Sequence, residues 1–389
     1  CPGVDGIIGH RTNPAAYAKC LVPTFGYPPS DPAFTLGLNG NSTDLAIPVG
    51  RLAANNPVEV EAYRLKVESF ESFDTPEAWM KNVLLFRGGF NPGEIQTFET
   101  YLNNYATIAE DVNFVGSAYL FRKNAGGLNP GAADSVRHFI EDEGVTLMTF
   151  FAHASAGNFD INIDYPTNFE WNGKYPMIIA NSCYAGNVHL FESESVSERY
   201  VNIGDHGAIA FLASTDLGYS TPLYYYTRDW YTSFSAANYG KSIGEHMRYA
   251  IGQQLSQNSS VLYLNNAQTF TLHGDPTLVL HSFPDPDFSI TQPDVRFLPE
   301  PITADLDTFQ VQVVVSNLGK GLDVNANVVL KRRLVEEQQD LPPIGLPIYA
   351  GAFRDTVVFE IPSLADAGGA GLNSFEVRVD LDPDSIAEF

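Results

Sequence analysis

A cysteine and a histidine each follow an apolar run, and together their side chains suit one kind of chemistry. Residues 175–182 lead into Cys183, residues 147–152 lead into His153, and small residues follow both. Each pattern predicts a buried strand that ends in a tight turn, so the thiol and the imidazole are expected at an edge of a sheet. An imidazole can take the proton of a nearby thiol, and the resulting thiolate attacks a carbonyl carbon. The pair therefore predicts the acyl-transfer chemistry of cysteine proteases.

The three cysteines of the chain cannot all pair with one another. Cys1 and Cys20 enclose a short loop and can form a disulfide in an oxidising compartment, which would leave Cys183 as the free thiol. Spacing alone does not decide whether that bridge forms. His189, six residues after Cys183, is a second candidate for the catalytic base.

The composition predicts a globular, acidic protein. Of the 389 residues, 44% are hydrophobic and 12% aromatic, which is enough for two or three domains with their own cores. The formal net charge of −24 argues against a nucleic-acid partner, because phosphates attract lysine and arginine. The charge fits an exported protein, cationic substrates or bound divalent cations, and it also fits a well-solvated surface with no such role. No apolar run reaches the roughly 18 residues of a membrane span, and we expect that any export signal has been removed.

Apolar runs alternate with helical patterns over residues 44–281. Runs typical of buried strands lie at Asp44–Leu52, Lys81–Phe86, Val115–Phe121, 147–152, 175–182, Gly207–Ala213 and Thr271–His281. Helices are predicted from Asn56-Pro57, from Asn91-Pro92, and over about residues 132–143 and 242–255. The first of these helices presents one apolar face, formed by Val60, Tyr63, Val67 and Phe70. The alternation predicts a parallel α/β sheet, whose functional sites form beyond the carboxyl ends of the strands.

The pattern changes after residue 282. Pro284–Asp287 is typical of a linker, and the segments that follow alternate apolar and polar residues with a period of two. The clearest alternations lie at residues 309–315, 324–330 and 375–381. We predict a first domain at residues 1–282, with residues 1–75 as a candidate N-terminal subdomain, and an immunoglobulin-like β-sandwich at residues 288–389. The chain stops just past a strand, which predicts a truncated second module.

Five segments stand out when they are taken together. They are Asp44–Leu52, Phe151–Ser155, Ala180–Gly186, Gly207–Thr215 and Leu272–Leu278. In this order they resemble the motifs of the gingipain-like cysteine peptidases, a family of the caspase-related clan. The resemblance covers roughly residues 20 to 281, and an ordered set of motifs is more specific than any one of them. It implies a caspase-like fold with a mostly parallel sheet flanked by helices, followed by an immunoglobulin-like module.

The resemblance also implies a role for each residue of the candidate site. Cys183 is the nucleophile, His153 is the general base or acid, and the backbone amides of Cys183 and Ala154 form the oxyanion hole. The implied activity is that of an exported cysteine endopeptidase, which acts on protein or peptide substrates and needs no cofactor for its chemistry. Ala154 stands where the family usually has glycine, so the hole would be impaired if that amide required a left-handed backbone.

The acidic residues of the family are missing after the second predicted strand. Gingipains carry acids there that orient the histidine and select basic side chains, whereas this chain has Arg87-Gly88-Gly89-Phe90. Glu94 is a candidate replacement for the selectivity acid. Asp216, at another strand end, is a second candidate pocket residue. Specificity for arginine or lysine therefore does not follow from the resemblance.

Asp160, Asn162 and Asp164 place three oxygen-bearing side chains at alternate positions after His153. Such oxygens suit calcium, which the related peptidases bind. A solvated edge strand explains the same pattern. We expect calcium, if it is bound here, to be a structural ion.

Two other functions would use the same residues. A sortase-like transpeptidase of a type IX secretion system would pass the acyl group to an amine instead of water. A catalytically inactive surface-binding or adhesion protein would account for Ala154 and for the missing acids. By resemblance, we expect a secreted or cell-surface protein of a Gram-negative bacterium. The sequence leaves the oligomeric state open.

Overall fold

A computed structural model describes residues 24–381, apart from residues 125–127, 162, 164, 190–193, 304 and 368. The chain divides into two units, one with the residues up to Ala109 and Gly116–His281, the other with Glu110–Val115 and the residues from Ser282 onward. The sequence analysis assigns residues 110–115 to the first domain. They group with the second unit because Asn113 and Gly321 exchange backbone hydrogen bonds of 3.2 and 2.8 Å.

Two further predictions concern the ends of the chain and the membrane. Cys1 and Cys20 lie outside the described residues, so their disulfide stays a prediction. Within the described part of the chain, no helix has both the length and the apolar character needed to cross a membrane.

The first unit contains a seven-stranded, mostly parallel sheet. Its strands are β1 (Gly50–Arg51), β2 (Asn82–Arg87), β3 (Ser117–Arg122), β4 (Leu147–Phe151), β5 (Met177–Asn181), β6 (Ala210–Ser214) and β7 (Phe270–His273). Their order across the sheet is β1-β7-β6-β5-β4-β2-β3, and only the β6–β7 pair is antiparallel. β2, β4, β5 and β6 are buried along their whole length, as expected of parallel strands covered by helices. The predicted α/β sheet is confirmed.

Seven α-helices accompany this sheet in the described residues. They are α1 (Pro57–Glu71), α2 (Pro92–Ala109), α3 (Pro130–His138), α4 (Val196–Val201), α5 (Ser220–Thr232), α6 (Ile243–Gln257) and α7 (Val261–Thr269). α2 and α5 contact each other, and they pack on strands of the central sheet. Both helices begin beside the carboxyl ends of the strands, where the candidate site lies.

Two of the helix starts were predicted from an Asn-Pro pair, and both are confirmed. The side chain of Asn56 accepts hydrogen bonds from the N–H groups of Val58 and Glu59. Asn91 accepts one from the N–H of Glu94. Such caps satisfy donors that have no partner within the helix, so the signal is local and can be read from sequence. α5 and α7 have no side-chain cap and were not predicted.

The buried face of α1 differs from the predicted one. Val60 is 48% exposed, whereas Lys66 is only 2% exposed. The Lys66 ammonium donates hydrogen bonds of 3.1–3.3 Å to three main-chain carbonyls, those of Tyr200, Val201 and Ala208. Burial lowers the pKa of Lys66 to about 7. The spacing of apolar residues cannot predict that this lysine is buried, because its burial depends on carbonyl groups far along the chain.

Two predicted strands are shorter than expected. Only Gly50–Arg51 forms a strand within the predicted Asp44–Leu52, and the last strand of the sheet ends at His273 instead of His281. Gly274 turns the chain with a φ of +123°, and Pro276 has no N–H to continue a ladder. The apolar residues beyond this turn, such as Leu278, are buried in a loop.

The strand order changes direction between β2 and β4. The chain continues from β2 to β3 on one side, and from β4 to β5 on the other. Loops that leave two such strands diverge, which opens a crevice at their carboxyl ends. His153 follows β4 and Cys183 follows β5, so both lie at this edge of the sheet.

The second unit contains two antiparallel sheets. Its strands are β8 (Phe288–Ser289), β9 (Val295–Leu298), β10 (Thr308–Asn317), β11 (Asn325–Leu334), β12 (Gln339–Asp340), β13 (Ile344–Tyr349), β14 (Arg354–Pro362) and β15 (Asn373–Asp380). β10 pairs with β8, β9 and β14, while β11 pairs with β12, β13 and β15. Alternate residues of β10 and β11, including Val311, Val313 and Val328, share one core. The unit is a β-sandwich, as predicted, and its assignment to the immunoglobulin type stays a prediction.

Candidate active site

The pairing of β4 with β5 brings His153 and Cys183 to the same place. Phe151 is the register partner of Asn181, and each of these residues lies two positions before one of the candidate catalytic residues. The N–H of Ala152 extends the ladder by donating to the carbonyl of Asn181 at 3.3 Å. Both candidate side chains line one cavity of about 300 Å³. The Cys183 thiol is free and half-buried.

Glu94 and Phe90 hold the imidazole of His153. The Nε2 atom lies 2.9 Å from Oε1 of Glu94. The ring N–H is not aimed along this line, so the contact is a close electrostatic one and not a well-directed hydrogen bond. The ring also stacks on Phe90, with centroids 4.5 Å apart and an interplanar angle of 14°. Glu94, predicted as a pocket acid, thus contacts the histidine directly.

Glu94 is itself fixed in the first turn of α2. Its Oε2 atom accepts a hydrogen bond of 2.8 Å from the N–H of Phe90. Burial alone would raise the pKa of this carboxyl, but the Phe90 N–H and His153 together hold it below its usual value. The carboxylate is therefore charged at neutral pH and lies against the imidazole.

Asp160 and Lys123 support the other side of Phe90. The Oδ2 atom of Asp160 lies 2.8 Å from the Lys123 ammonium and accepts a hydrogen bond of 3.0 Å from the N–H of Gly89. The Lys123 ammonium lies 4.4 Å from the centroid of the Phe90 ring. The N–H of Asp160 donates to the carbonyl of His153 at 2.8 Å. Asp160 therefore links the turn after β2 to the turn that carries the imidazole of His153.

This arrangement bears on the predicted calcium ligands. Asp160 is in an ion pair, and Asn162 and Asp164 lie outside the described residues. Among the described residues, no group of three or more His, Cys, Asp or Glu side chains could hold a metal ion. The calcium site stays a prediction.

The two glycines after β2 allow the turn to approach β4. A Cβ atom on Gly88 would lie 2.4 Å from Oδ1 of Asp160 and 2.7 Å from the Cβ atom of Ala152. Gly89 has a φ of +109°, which favours glycine. The segment that lacks the acids of the family is thus shaped to bring Phe90 onto His153, a role that sequence reasoning missed.

Backbone geometry, more than side-chain contact, positions Cys183. Tyr184 adopts a left-handed φ of +56°, and its N–H donates to the carbonyl of Asp216 at 2.9 Å. The N–H of Gly218 points at Sγ of Cys183 at 3.3 Å. A Cβ atom on Gly186 would lie 2.7 Å from the carbonyl oxygen of Ala213. The small residues around Cys183, expected to leave room for substrate, let this turn pack closely on β6.

Asn181, just before the cysteine turn, joins three elements. Its Nδ2 atom donates to the carbonyl of Phe150 in β4 at 3.2 Å, and its Oδ1 atom accepts from the hydroxyl of Thr227 in α5 at 2.6 Å. α5 is thereby tied to the edge of the sheet, and its first turn forms a wall of the cavity. The other walls include Thr97 and Phe98 of α2, which sequence reasoning did not assign to the site.

Three sequence candidates do not line the cavity. Asp216 lies beside Tyr184, and Ala154 is in a hairpin opposite Phe159. His189 is 7% exposed, and burial together with the positive charge of Arg51 lowers its pKa to about 3. It is thus a neutral, buried histidine and not a competing base.

Comparisons with solved structures agree with the fold of the chain. The Arg-specific cysteine proteinase gingipain R has 16% sequence identity, with 92% of this chain and 80% of that chain covered and a TM-score of 0.56. The complex of the RgpB pro- and mature domains of Porphyromonas gingivalis has 13% identity, with coverages of 92% and 82% and a TM-score of 0.56. A further protease structure has 13% identity, with coverages of 86% and 78% and a TM-score of 0.54. At these identities the likeness shows the fold.

The sequence comparison identifies the family. No curated protein matches the chain. The profile of peptidase family C25 matches residues 7–281, which are more than half of the sequence and include His153 and Cys183. The predicted gingipain resemblance is confirmed, and the chain belongs to peptidase family C25, a family of cysteine-type peptidases.

Proposed function

We propose that the protein is an endopeptidase that cleaves protein or peptide substrates through a thioester on Cys183, with His153 as general base and acid. One observation carries the proposal. The thiol and the imidazole follow adjacent strands and line the same cavity, which also exposes them to substrate. Sharing a cavity suits proton exchange between nucleophile and base.

The proposed reaction has two halves. Sγ attacks the scissile carbonyl as a thiolate, while the imidazole holds the proton of the thiol. The C–N bond then breaks, the leaving amine takes that proton, and a thioester remains. Water attacks the thioester and gives its proton to the imidazole. The C–S bond breaks, and the thiolate regains the proton as the acid product leaves. Because Nε2 of His153 faces Glu94, Nδ1 is the atom available for these transfers.

The backbone amides of Ala154 and Cys183 are the proposed oxyanion hole. Ala154 has no positive φ, so replacing the usual glycine brings no backbone strain. Two hydrogen bonds close the hairpin around Ala154. The carbonyl of His153 accepts from the N–H of Asp160, and the N–H of Ser155 donates to the carbonyl of Asn158. The N–H of Ala154 takes part in neither bond. This removes one reason for regarding the protein as an inactive binding module.

Several finer parts of the proposal rest on the family resemblance. We place the protein outside the cell, secreted or on the surface of a Gram-negative bacterium, with the β-sandwich as an immunoglobulin-like module. Calcium would be a structural ion. The alternative to hydrolysis is transfer of the acyl group from Cys183 to an amine, as in a type IX sortase.

Peptide cleavage by the full chain and by Cys183→Ala tests the proposal. We expect the wild-type protein to cleave internal bonds of a mixed peptide library, and the variant to cleave none. Iodoacetamide should alkylate Cys183 and abolish the activity. An added amine, with products read by mass spectrometry, separates hydrolysis from transpeptidation. Equal cleavage by the wild type and the variant, or no cleavage by either, would overturn the proposal.

A further inference from the structure

We propose that the cavity beside Cys183 binds an apolar P1 side chain, the one on the acyl side of the cleaved bond. The enzyme would then cleave after residues such as leucine, methionine and phenylalanine. The inference rests on the proposed endopeptidase function and adds its substrate class. It differs from the arginine specificity named for gingipain R.

Part of the cavity wall is apolar. Phe98 of α2, Phe151 at the end of β4 and Leu223 of α5 belong to it and are exposed by only 6%, 1% and 2%. The lining also contains polar side chains without formal charge, those of Thr97, Asn181, Ser182, Tyr219 and Ser220. Covering the apolar part of the wall with an apolar side chain contributes about 25 cal/mol per Å² of surface removed from water.

Among the described residues that line the cavity, Glu94 alone has a carboxylate. Its Oε1 atom lies against His153 and its Oε2 atom accepts the N–H of Phe90. Phe90 is in turn held through Gly89 and Lys123, both bonded to Asp160. A guanidinium in the cavity would have to draw Glu94 away from the catalytic imidazole, or remain buried without a counter-charge. Either event is costly.

The second acid proposed from the sequence does not change this conclusion. Asp216 is absent from the cavity lining, and its carboxylate lies beside the hydroxyl of Tyr184. An acidic P1 side chain is disfavoured as well. The described residues of the lining include no lysine or arginine, and Glu94 would repel a second carboxylate. Uncharged side chains remain, and among these the apolar surfaces of Phe98, Phe151 and Leu223 favour apolar ones.

Matched peptides that differ only at P1 test the inference. We expect kcat/KM for leucine, methionine or phenylalanine to exceed that for arginine, lysine or aspartate by at least 10-fold, within the roughly 10–200-fold range that one hydrophobic pocket gives. Cleavage that depends on Cys183 but prefers a basic or acidic P1, or discriminates poorly, would overturn the inference and leave the proposed function standing. Absence of cleavage would overturn both.

A designed change of specificity gives a second, independent measurement. Thr97 and Thr100 are exposed threonines of α2, and each hydroxyl donates to the carbonyl four residues earlier. Only Thr97 lines the cavity. Thr97→Asp supplies an uncommitted carboxylate, so it should raise the arginine-to-leucine ratio of kcat/KM at least 10-fold. Thr100→Asp should leave the ratio unchanged. An unchanged ratio in Thr97→Asp, or an equal shift in both variants, would contradict the placement of the P1 side chain.

Discussion

The two sides of the candidate active-site cleft are built by different means. On the histidine side, side chains make the contacts. Glu94 lies against Nε2 and Phe90 stacks on the ring. On the cysteine side, the nearest partner of Sγ is the backbone N–H of Gly218, at 3.3 Å. An imidazole works in one ring orientation, which neighbouring side chains must maintain. The side chain of cysteine is short, so the position of its backbone largely determines the position of its sulfur. Because of this difference, we expect a single substitution on the histidine side to lower activity partially, and one in the cysteine turn to lower it much more.

The largest loss is expected on the cysteine side. Gly186→Ala puts a Cβ atom 2.7 Å from the carbonyl oxygen of Ala213, and rotation of a side chain cannot relieve this contact with the backbone. We expect kcat/KM to fall at least 100-fold, in line with displacement of a reacting group by about 1 Å. Overpacking should also lower the free energy of unfolding by about 1–3 kcal/mol.

Gly157→Ala is the matched control for this variant. Gly157 lies in the loop after His153, and a Cβ atom there would meet nothing within 4 Å. Peptide cleavage and urea denaturation should both remain near wild type. Comparable losses in the two variants would show that the cysteine turn is no more sensitive than any loop.

On the histidine side, Glu94→Gln should reduce activity without abolishing it. The glutamine keeps the shape of the side chain but loses the charge, so we expect kcat/KM to fall roughly 10–100-fold at pH 7. The N–H of Phe90 and His153 hold the pKa of Glu94 below its usual value of about 4.3, despite burial, which acts the other way. The contribution of the charge is thus present above that value and is lost as the pH falls through the lower pKa of the folded state.

The ratio of wild-type to Glu94→Gln kcat/KM should therefore be above one wherever the wild-type carboxyl is charged. It should approach one as the pH falls through the lowered pKa of that carboxyl. A pH profile of both proteins on one peptide measures this ratio. A ratio near one already at pH 7 would mean that the charge of Glu94 contributes nothing to the activity.

The smallest effect on activity is expected at Asp160, which contacts neither the imidazole ring nor the substrate cavity. Asp160→Asn leaves Lys123 without a charged partner and loosens the turn that carries Phe90. We expect kcat to fall roughly 10-fold with little change in KM, since the imidazole moves while the cavity walls stay. The free energy of unfolding should fall by roughly 1–3 kcal/mol.

Glu141→Gln is the control, because it removes the charge from a different ion pair of the same unit. Glu141 lies 2.6 Å from Arg137, and neither residue lines the cleft. Its loss should leave kcat unchanged. If Asp160→Asn lowers stability but leaves kcat at the wild-type value, the pair with Lys123 is structural only and does not position His153.

Local signals explain why the sheet, and the positions of His153 and Cys183 at its edge, could be predicted from sequence. Buried parallel strands are continuous apolar runs, and the residue just past each run lies at the functional edge. This is how His153 and Cys183 could be found. The same reasoning missed α5 and α7, whose first turns lack a side-chain cap, and also the short α4, which begins at a Ser195 cap. It also misjudged the buried face of α1, where Lys66 is satisfied by carbonyls more than 130 residues away.

The roles of the acids could not be predicted in this way. Asp160 was grouped with Asn162 and Asp164 because they alternate along the chain, yet its partners are Lys123, 37 residues away, and Gly89, 71 residues away. The spacing of residues along the chain does not predict contacts between such distant positions. Phe90 appeared only as part of a segment that departs from the family pattern.

By itself, the sequence determined the order of strands and helices and the edge of the sheet where a thiol and an imidazole would meet, because apolar runs and helix caps act locally. The tertiary structure alone decided what the carboxylates of Glu94 and Asp160 bind. Their partners are brought close only when β2, β4 and α2 pack together. That packing places Glu94 against His153. No other carboxylate lies among the described residues of the cavity lining, which is why we propose that the cavity binds apolar side chains.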